Sequence, residues 1–375
     1  MNIKPFGVEL WMNEFETKCE LNLAETCVAS ITVAELLEFA GQSADSIKDL
    51  LSLKMTYGAI EGSDRLRQAI ASMYSNQSTK NTLVTHGTIG ANSLVHQTLV
   101  SPGDRVIAIV PTYQQHYSIP ESIGADVHPL KLTAEQDFLP DLDKLKELAT
   151  PDTKLIAVTN PNNPTGSLMN REMLEQVASI ARDADAWVLC DEVYRGTNQE
   201  GSGTTESMAD LYEKGISTAS TSKAFSLAGL RLGWIVAPEE VVDSVMIHRD
   251  YNTISVGMIN DHLASLALEN RDKILQRSRH ITRTNLDILS QWVDGEPGVS
   301  WVKPKSGTTC LLKYHLDIPS REFCVRLLKQ TGVMVMPGAA MDMEGHVRVG
   351  FANDTEVLRK GLPLMSEFLN SVASN

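Results

Sequence analysis

Aromatic residues are scarce, at 6% of 375 positions, and only five cysteines occur, with no C-x-x-C pair among them. Cys19, Cys27, Cys190, Cys310 and Cys324 are odd in number and widely spaced. A disulfide framework and a clustered thiolate metal site are therefore not expected; reduced thiols in a cytoplasmic chain are. No stretch approaches about 18 uninterrupted apolar residues, and the opening MNIKPFGVELWMNEFE carries acids where a secretory leader needs an apolar run, so neither a membrane span nor a leader is expected. Basic charge is also in short supply. The 33 Lys and Arg stand against 47 Asp and Glu, a formal charge of −14. Such a surface repels phosphodiester backbones, and with no Lys/Arg cluster to interrupt it, nucleic acid is not an expected partner. Repeats and low-complexity tracts are missing too. With 42% hydrophobic and 21% charged residues, what remains is a globular chain of two or three domains.

What is there has a rhythm. The first 30 residues show no long periodic element and read as an arm lying on something else. Leu66, Ala69, Ile70 and Met73 then fall at i, i+3, i+4, i+7 behind a capping Ser63, the pattern of an amphipathic helix. From Leu83 to about Ala237, the runs LVTH, RVIAIV, KLIAVT, AWVLCDE, ISTAS and RLGWIVA alternate with helical stretches. The clearest of these runs from Asn170 to Asp185, with Met173, Leu174, Val177, Ile180 and Ala181 on one face. Strands buried on both sides and joined by crossover helices predict an α/β fold with a mostly parallel central sheet, its functional loops at the strands' carboxyl ends. Beyond Pro238 the pattern is helical to about Trp292. VSWV, TTCLLKY, VMVMP and HVRVGF, with helices near 320–330 and 355–372, then predict a smaller α+β domain. The expected division is an arm with part of the small domain over 1–45, a large domain over 46–265 and a small one over 266–375.

Three segments carry chemistry. In STSKAFSLAGLRLGW, Lys223 stands among small hydroxyl residues between two predicted strands, where a desolvated amine is able to attack an aldehyde. An isolated S-x-S-K is more often a surface turn. NPNNPTG follows a strand directly; turn chemistry explains its composition, and a functional reading needs an amide at the strand tip. AWVLCDEVYRG ends a buried run with Asp191, Glu192 and Tyr194. A carboxylate emerging there is costly unless paired, whether in a structural ion pair or in a site.

In this order, NPNNPTG, DEVY and STSKAFSLAGLRLGW resemble the class I/II aminotransferases, the fold-type I family that uses pyridoxal 5'-phosphate. The resemblance runs from about Asn22 to the C-terminus. It implies that Lys223 holds the cofactor as an internal aldimine and, once freed, carries the substrate's α-proton. It implies that Asp191 faces the pyridine nitrogen and keeps it protonated, and that Asn163 and Tyr194 donate to the ring's phenolic oxygen. Gly87, Thr88 and Ile89 in THGTIGAN would form the phosphate loop at a helix start. Ser220 and Arg231 would complete it, and Tyr113 would stack on the ring. Arg348 in HVRVGF matches the arginine that grips the substrate α-carboxylate. Tyr57 in TYGAIEGS matches a tyrosine that reaches the neighbouring subunit's phosphate, which implies a homodimer with composite sites.

The implied reaction is amino transfer between an α-amino acid and a 2-oxo acid. Softer resemblances add a second reading. NLAETCV, with Glu25, is similar to the N-terminal segment of aminocyclopropane-carboxylate synthases. FGVELWMNEFE, TYGAIEGS and HRDYNTIS are similar to the branch containing capreomycidine synthase, which cyclises an arginine derivative. Elimination, replacement or cyclisation is the alternative they imply. A regulator that binds the cofactor without turnover is a third; such relatives add a winged-helix domain, for which the residues before Asn22 are too few. Glu25, Tyr251 and Glu14 are candidates to face the substrate's side chain, with an exposed acid on the arm the commoner reading for Glu14. No second arginine stands out for a distal acid, which favours a cationic or neutral substrate.

Overall fold

The apolar runs between residues 82 and 236 lie side by side in the computed structural model, which describes residues 2–373. In chain order the strands are β1 (Leu21–Asn22), β2 (Thr82–Thr85), β3 (Arg105–Val110), β4 (Asp126–Lys131), β5 (Thr153–Thr159), β6 (Trp187–Asp191) and β7 (Gly215–Ser220). They continue with β8 (Gly233–Val236), β9 (Val299–Trp301), β10 (Thr309–Tyr314), β11 (Val333–Met334), β12 (Met336–Pro337) and β13 (His346–Gly350). The central sheet has seven strands in the order β2-β8-β7-β6-β5-β3-β4. The pairs β3/β4, β3/β5, β5/β6 and β6/β7 are parallel, and β8 runs antiparallel to both its neighbours. The mostly parallel sheet expected from the buried runs is thus present, with RLGWIVA the one reversed strand. Burial explains the pattern: β2, β7 and β8 are buried at every position, as are all but one residue of β5 and of β6.

Edge strand β4, DVHPLK, escapes sequence reading. It is largely exposed, alternates in polarity and contains Pro129, which only a sheet edge tolerates.

The helix Arg171–Asp183 begins where Asn170 Oδ1 accepts from Met173 N at 3.0 Å, and it buries Leu174, Val177, Ala178 and Ala181 against the sheet. The helix Asp64–Ala71 is capped by Ser63 as its sequence predicts. Three helices, Glu239–Asp250, Met258–Glu269 and Arg271–Gly295, fill the stretch after Pro238. A second sheet, β12-β13-β10-β9, is antiparallel throughout. The run VMVMP is divided. Its first half, β11, pairs in parallel with β1 of the arm, and its second half, β12, joins β13.

The arm corrects its sequence reading. A nine-residue helix, Gly7–Phe15, occupies it, burying Val8 and Trp11. Gly7 N donates to Gln114 Oε1 at 2.8 Å, Gln114 Nε2 donates to Pro5 O at 2.9 Å, and Phe6 lies 4.7 Å from the Tyr113 ring. These contacts fix the arm helix to the carboxyl end of β3. Among the described residues, no helix is long and apolar enough to cross a membrane.

Candidate active site

A cavity of about 350 Å³ opens at the carboxyl ends of the parallel strands. Each strand delivers its side chains there by ending. Asp191 is the last residue of β6, Ser220 the last of β7, Asn163 follows β5 and Tyr113 follows β3. The small sheet closes the other side through Arg348 of β13.

Asp191 is 4% exposed. Its carboxylate accepts from Asn92 Nδ2 at 2.8 Å and from Val193 N at 3.1 Å, and His116 Nε2 lies 3.7 Å away. Behind it, His116 Nδ1 meets His96 Nε2 at 3.4 Å, and burial holds His96 well below the usual imidazole range, hence neutral. Glu192 turns the opposite way. Its oxygens accept from Ser207 Oγ, Met208 N and Ser217 Oγ at 2.8–2.9 Å, and burial raises its pKa. The cost of burying two adjacent carboxylates is met by different partners, and only Asp191 reaches the cavity.

The asparagines of NPNNPTG separate in the same way. Asn160 is tied to the backbone of Met169 in both directions and Asn162 binds Pro111 O and Thr165, as turn residues do. Asn163 alone lines the cavity, its Oδ1 accepting from Arg348 Nη1 at 3.2 Å. Arg348 is 2% exposed; Nη2 donates to Ala24 O at 3.0 Å and Nε has no partner. No carboxylate pairs with it among the described residues, and burial pulls its pKa down from the ordinary arginine value. A buried guanidinium left without a counter-ion is a site for an anion.

Lys223 Nζ donates to Thr26 Oγ1 at 2.7 Å and to Cys27 Sγ at 3.3 Å. Burial opposes its charge, but Cys27, Tyr194 and Glu25 favour it and raise its pKa on balance. For Glu25 the same contest has a mirror outcome. Burial works to raise its pKa, while the Lys223 charge and the N–H groups of Cys27 and Thr26, bonded at 2.7–2.8 Å, hold it below the usual carboxylate value. Tyr194, 3% exposed, is raised by burial. Tyr113 OH donates to Glu9 Oε1 at 3.0 Å; burial and that carboxylate raise the phenol.

At the far end, the helix Gly87–Leu99 starts beneath Arg231. His86 gives it no side-chain cap, so its first N–H groups are free to meet an anion. Thr88 Oγ1 is buried without a partner beside the hydroxyls of Ser220 and Ser222. Gly87 takes φ +68°, and a methyl there would press on Arg231 Nη2 at 3.0 Å. A methyl on Gly233 would strike Thr88 N at 2.7 Å, so the glycine of LRLGW seats the helix start.

The cavity therefore collects Glu25, Thr88, Ile89, Tyr113, Asn163, Asp191, Tyr194, Ser220, Lys223, Arg231 and Arg348. Gly87 supports its rim. Tyr57 does not line it and is 76% exposed. Of the side-chain candidates, Tyr251 is corrected, and Glu14 is the exposed acid of the arm. Tyr251 is 93% exposed, and Glu14 pairs with Arg321 at 2.7 Å, so neither faces this cavity. The residues missed are Val8, Glu9, Met12 and Glu16 of the arm, Thr26 and Cys27 beside the lysine, and Asn92 and His116 behind Asp191. Val8, Trp11, Met12 and Phe15 stand at i, i+3, i+4, i+7, a signal that would have found the arm helix.

The family profile for aminotransferase class I and II matches residues 44–362. The crystal structure of a PLP-dependent aminotransferase from Streptococcus suis is similar with a TM-score of 0.96 and 40% identity, covering 99% of both chains. Capreomycidine synthase of Streptomyces vinaceus is 28% identical over 98% of this chain and 94% of its own. An aspartate/prephenate aminotransferase of Thermus thermophilus is 28% identical over 84% of each.

Proposed function

This chain belongs to the class I and II aminotransferases, which work with pyridoxal phosphate, and from that premise we propose that it moves an amino group between an α-amino acid and a 2-oxo acid. The observation that supports this reading is the convergence of Lys223, Asp191, Asn163 and Arg348 on one cavity. The residues present fit the cofactor. The unpartnered Thr88 hydroxyl, the uncapped helix start, Ser220 and Arg231 suit a phosphate; Tyr113 offers a ring face, Asn163 and Tyr194 polar groups for a phenolic oxygen, and Asp191 a carboxylate for a pyridine nitrogen. When bound, the cofactor supplies an electron sink for the substrate's α-carbon.

The chain's own groups do the rest. Arg348 holds the substrate carboxylate, with Nε as its unoccupied donor, and so aims the α-carbon at Lys223. The Lys223 amine would take the α-proton as general base. Asp191 would hold a proton on the cofactor's ring nitrogen. The arm helix excludes water on the substrate side.

A second reading, elimination or cyclisation, draws on one observation: likeness to capreomycidine synthase extends over the arm, outside the residues that the family profile matches. Both need the same first proton abstraction. A single turnover with an amino acid and no oxo acid separates them. Stoichiometric pyridoxamine phosphate is the expected result; repeated turnover with the starting spectrum restored would overturn amino transfer.

We place the enzyme in the cytoplasm as a homodimer. Its five cysteines are all unpaired. Leu51, Met55, Tyr57 and Ile60 are 83%, 74%, 76% and 44% exposed on one segment, an apolar surface that a second copy would cover. Mixing inactive Tyr57→Phe and Lys223→Ala dimers under subunit exchange should restore part of the activity, since one site of a hybrid has both wild-type residues. A fully active monomer by sedimentation would reject composite sites.

A further inference from the structure

The NLAETCV segment joins two groups that the proposed reaction uses. Ala24 O accepts from Arg348 Nη2 at 3.0 Å, and two residues on, the Thr26 hydroxyl accepts from Lys223 Nζ at 2.7 Å. The path between them is pinned at every step. Asn22 Oδ1 accepts from Ala24 N and Glu25 N at 2.9 and 3.1 Å, the Glu25 carboxylate folds back onto Thr26 N and Cys27 N, and Thr308 Oγ1 donates to Thr26 O at 2.7 Å. On either side, Gly350 N donates to Leu23 O at 2.8 Å and Val28 N to Lys223 O at 3.4 Å. A methyl on Gly350 would strike Glu25 O, so the segment lies directly against the end of β13.

Lys223 is pinned far less. Its backbone is held, but the amine sits at the tip of a flexible four-carbon stem and relies on two acceptors. One is Cys27 Sγ at 3.3 Å, a weak acceptor by nature; the other is Thr26 Oγ1, shorter and stronger. Thr26 is suited to hold it. It is 8% exposed, its branched side chain is stiff at χ1, and its hydroxyl also bonds the phenol of Tyr194, which lines the same cavity. Glu25 contributes charge, but both bonds of its Oε1 go to the backbone N–H groups of Thr26 and Cys27.

We propose that Thr26 is a positioning residue for Lys223: whenever the amine is not bonded to the cofactor, the Thr26 hydroxyl holds it in the cavity, one short segment from the guanidinium that anchors the substrate. This rests on the reading that Lys223 carries the α-proton. A free lysine amine explores many rotamers, and a displacement of about 1 Å slows a proton transfer markedly. Because Arg348 hangs on the backbone carbonyl of Ala24, a change of side chain at Thr26 should spare the substrate's anchor and disturb only the amine.

The test reads the amine with and without cofactor. In cofactor-free protein at fixed pH, cyanate carbamylates free amines, and mass spectrometry follows Lys223. Thr26→Val, which keeps the branched shape and removes the hydroxyl, should label Lys223 about tenfold faster than wild type, the scale of one lost hydrogen bond to a charged group. Thr26→Ser should match wild type. In the loaded enzyme, Thr26→Val should slow the amino-acid half-reaction about tenfold at saturation, leave the half-saturating concentration unchanged and enlarge the α-deuterium isotope effect, with Thr26→Ser restoring both rate and isotope effect. Thr26→Ala removes the same hydroxyl and repeats both measurements. Equal labelling of Lys223 in wild type and Thr26→Val, or weakened substrate binding with an unchanged isotope effect, would overturn the proposal. Pyridoxamine phosphate is assayed separately. Protection of Lys223 by Thr26 without its formation supports this assignment while rejecting amino transfer; its formation at the wild-type rate by Thr26→Val supports amino transfer while rejecting this assignment.

Discussion

Lys223→Ala should yield a folded protein that no longer retains its cofactor covalently and whose half-reaction with an amino acid is slower by about 10⁴-fold or more. Borohydride reduction should fix the cofactor to wild-type enzyme at Lys223 and leave no adduct on the variant. The reasoning begins with position. Lys223 lies three residues past the end of β7, and its amine reaches Thr26 and Cys27 at 2.7 and 3.3 Å, so it is anchored in the cavity and absent from the core clusters. Removing it therefore costs little packing. It removes both the nucleophile and the base, and no other lysine lines the cavity. A trapped adduct on any other lysine would overturn the assignment. The raised pKa adds a pH signature. In the cofactor-free protein the amine is held as ammonium at neutral pH, so reloading with cofactor should quicken as pH rises and frees the amine.

Asp191→Asn should preserve the trapped adduct and the fold yet slow the half-reaction by about 10²–10³-fold, the scale of losing one preorganised electrostatic partner. Asparagine matches aspartate in shape, and its carbonyl is able to accept from Asn92, which now donates to Asp191 at 2.8 Å. What it lacks is the charge. Asp191 is 4% exposed at the end of β6, and the neighbouring Glu192 cannot replace its charge because it faces Ser207 and Ser217 instead. Rapid-mixing absorbance measures the effect. A loss smaller than tenfold would show that Asp191 is structural.

By itself the sequence determined which strands are buried and where they stop. β5, β6 and β7 are nearly continuous apolar or small-residue runs, and a chain that must leave a sheet places its polar residues at the exit. Lys223, Asp191 and the NPNNPTG turn were legible as strand-exit residues for that reason; their roles came from the resemblance to the class I/II aminotransferases, since each segment taken alone also reads as an ordinary turn or ion pair. Tertiary structure decided what no local pattern encodes. Asn160, Asn162 and Asn163 are alike as turn residues, and Arg348, 185 residues on, singles out the third. Asp191 and Glu192 are alike as carboxylates at a strand exit, and the opposite directions of successive side chains where β6 ends send one to the cavity and the other to Ser207 and Ser217. The two halves of VMVMP join different sheets because the arm supplies β1 as a partner, more than 300 residues earlier in the chain. Val8, Glu9 and Met12 carry no local mark of a site. They line the cavity because Phe6, Gly7 and Trp11 hold their helix against the body of the protein, and such packing depends on surfaces that exist only once the chain has folded.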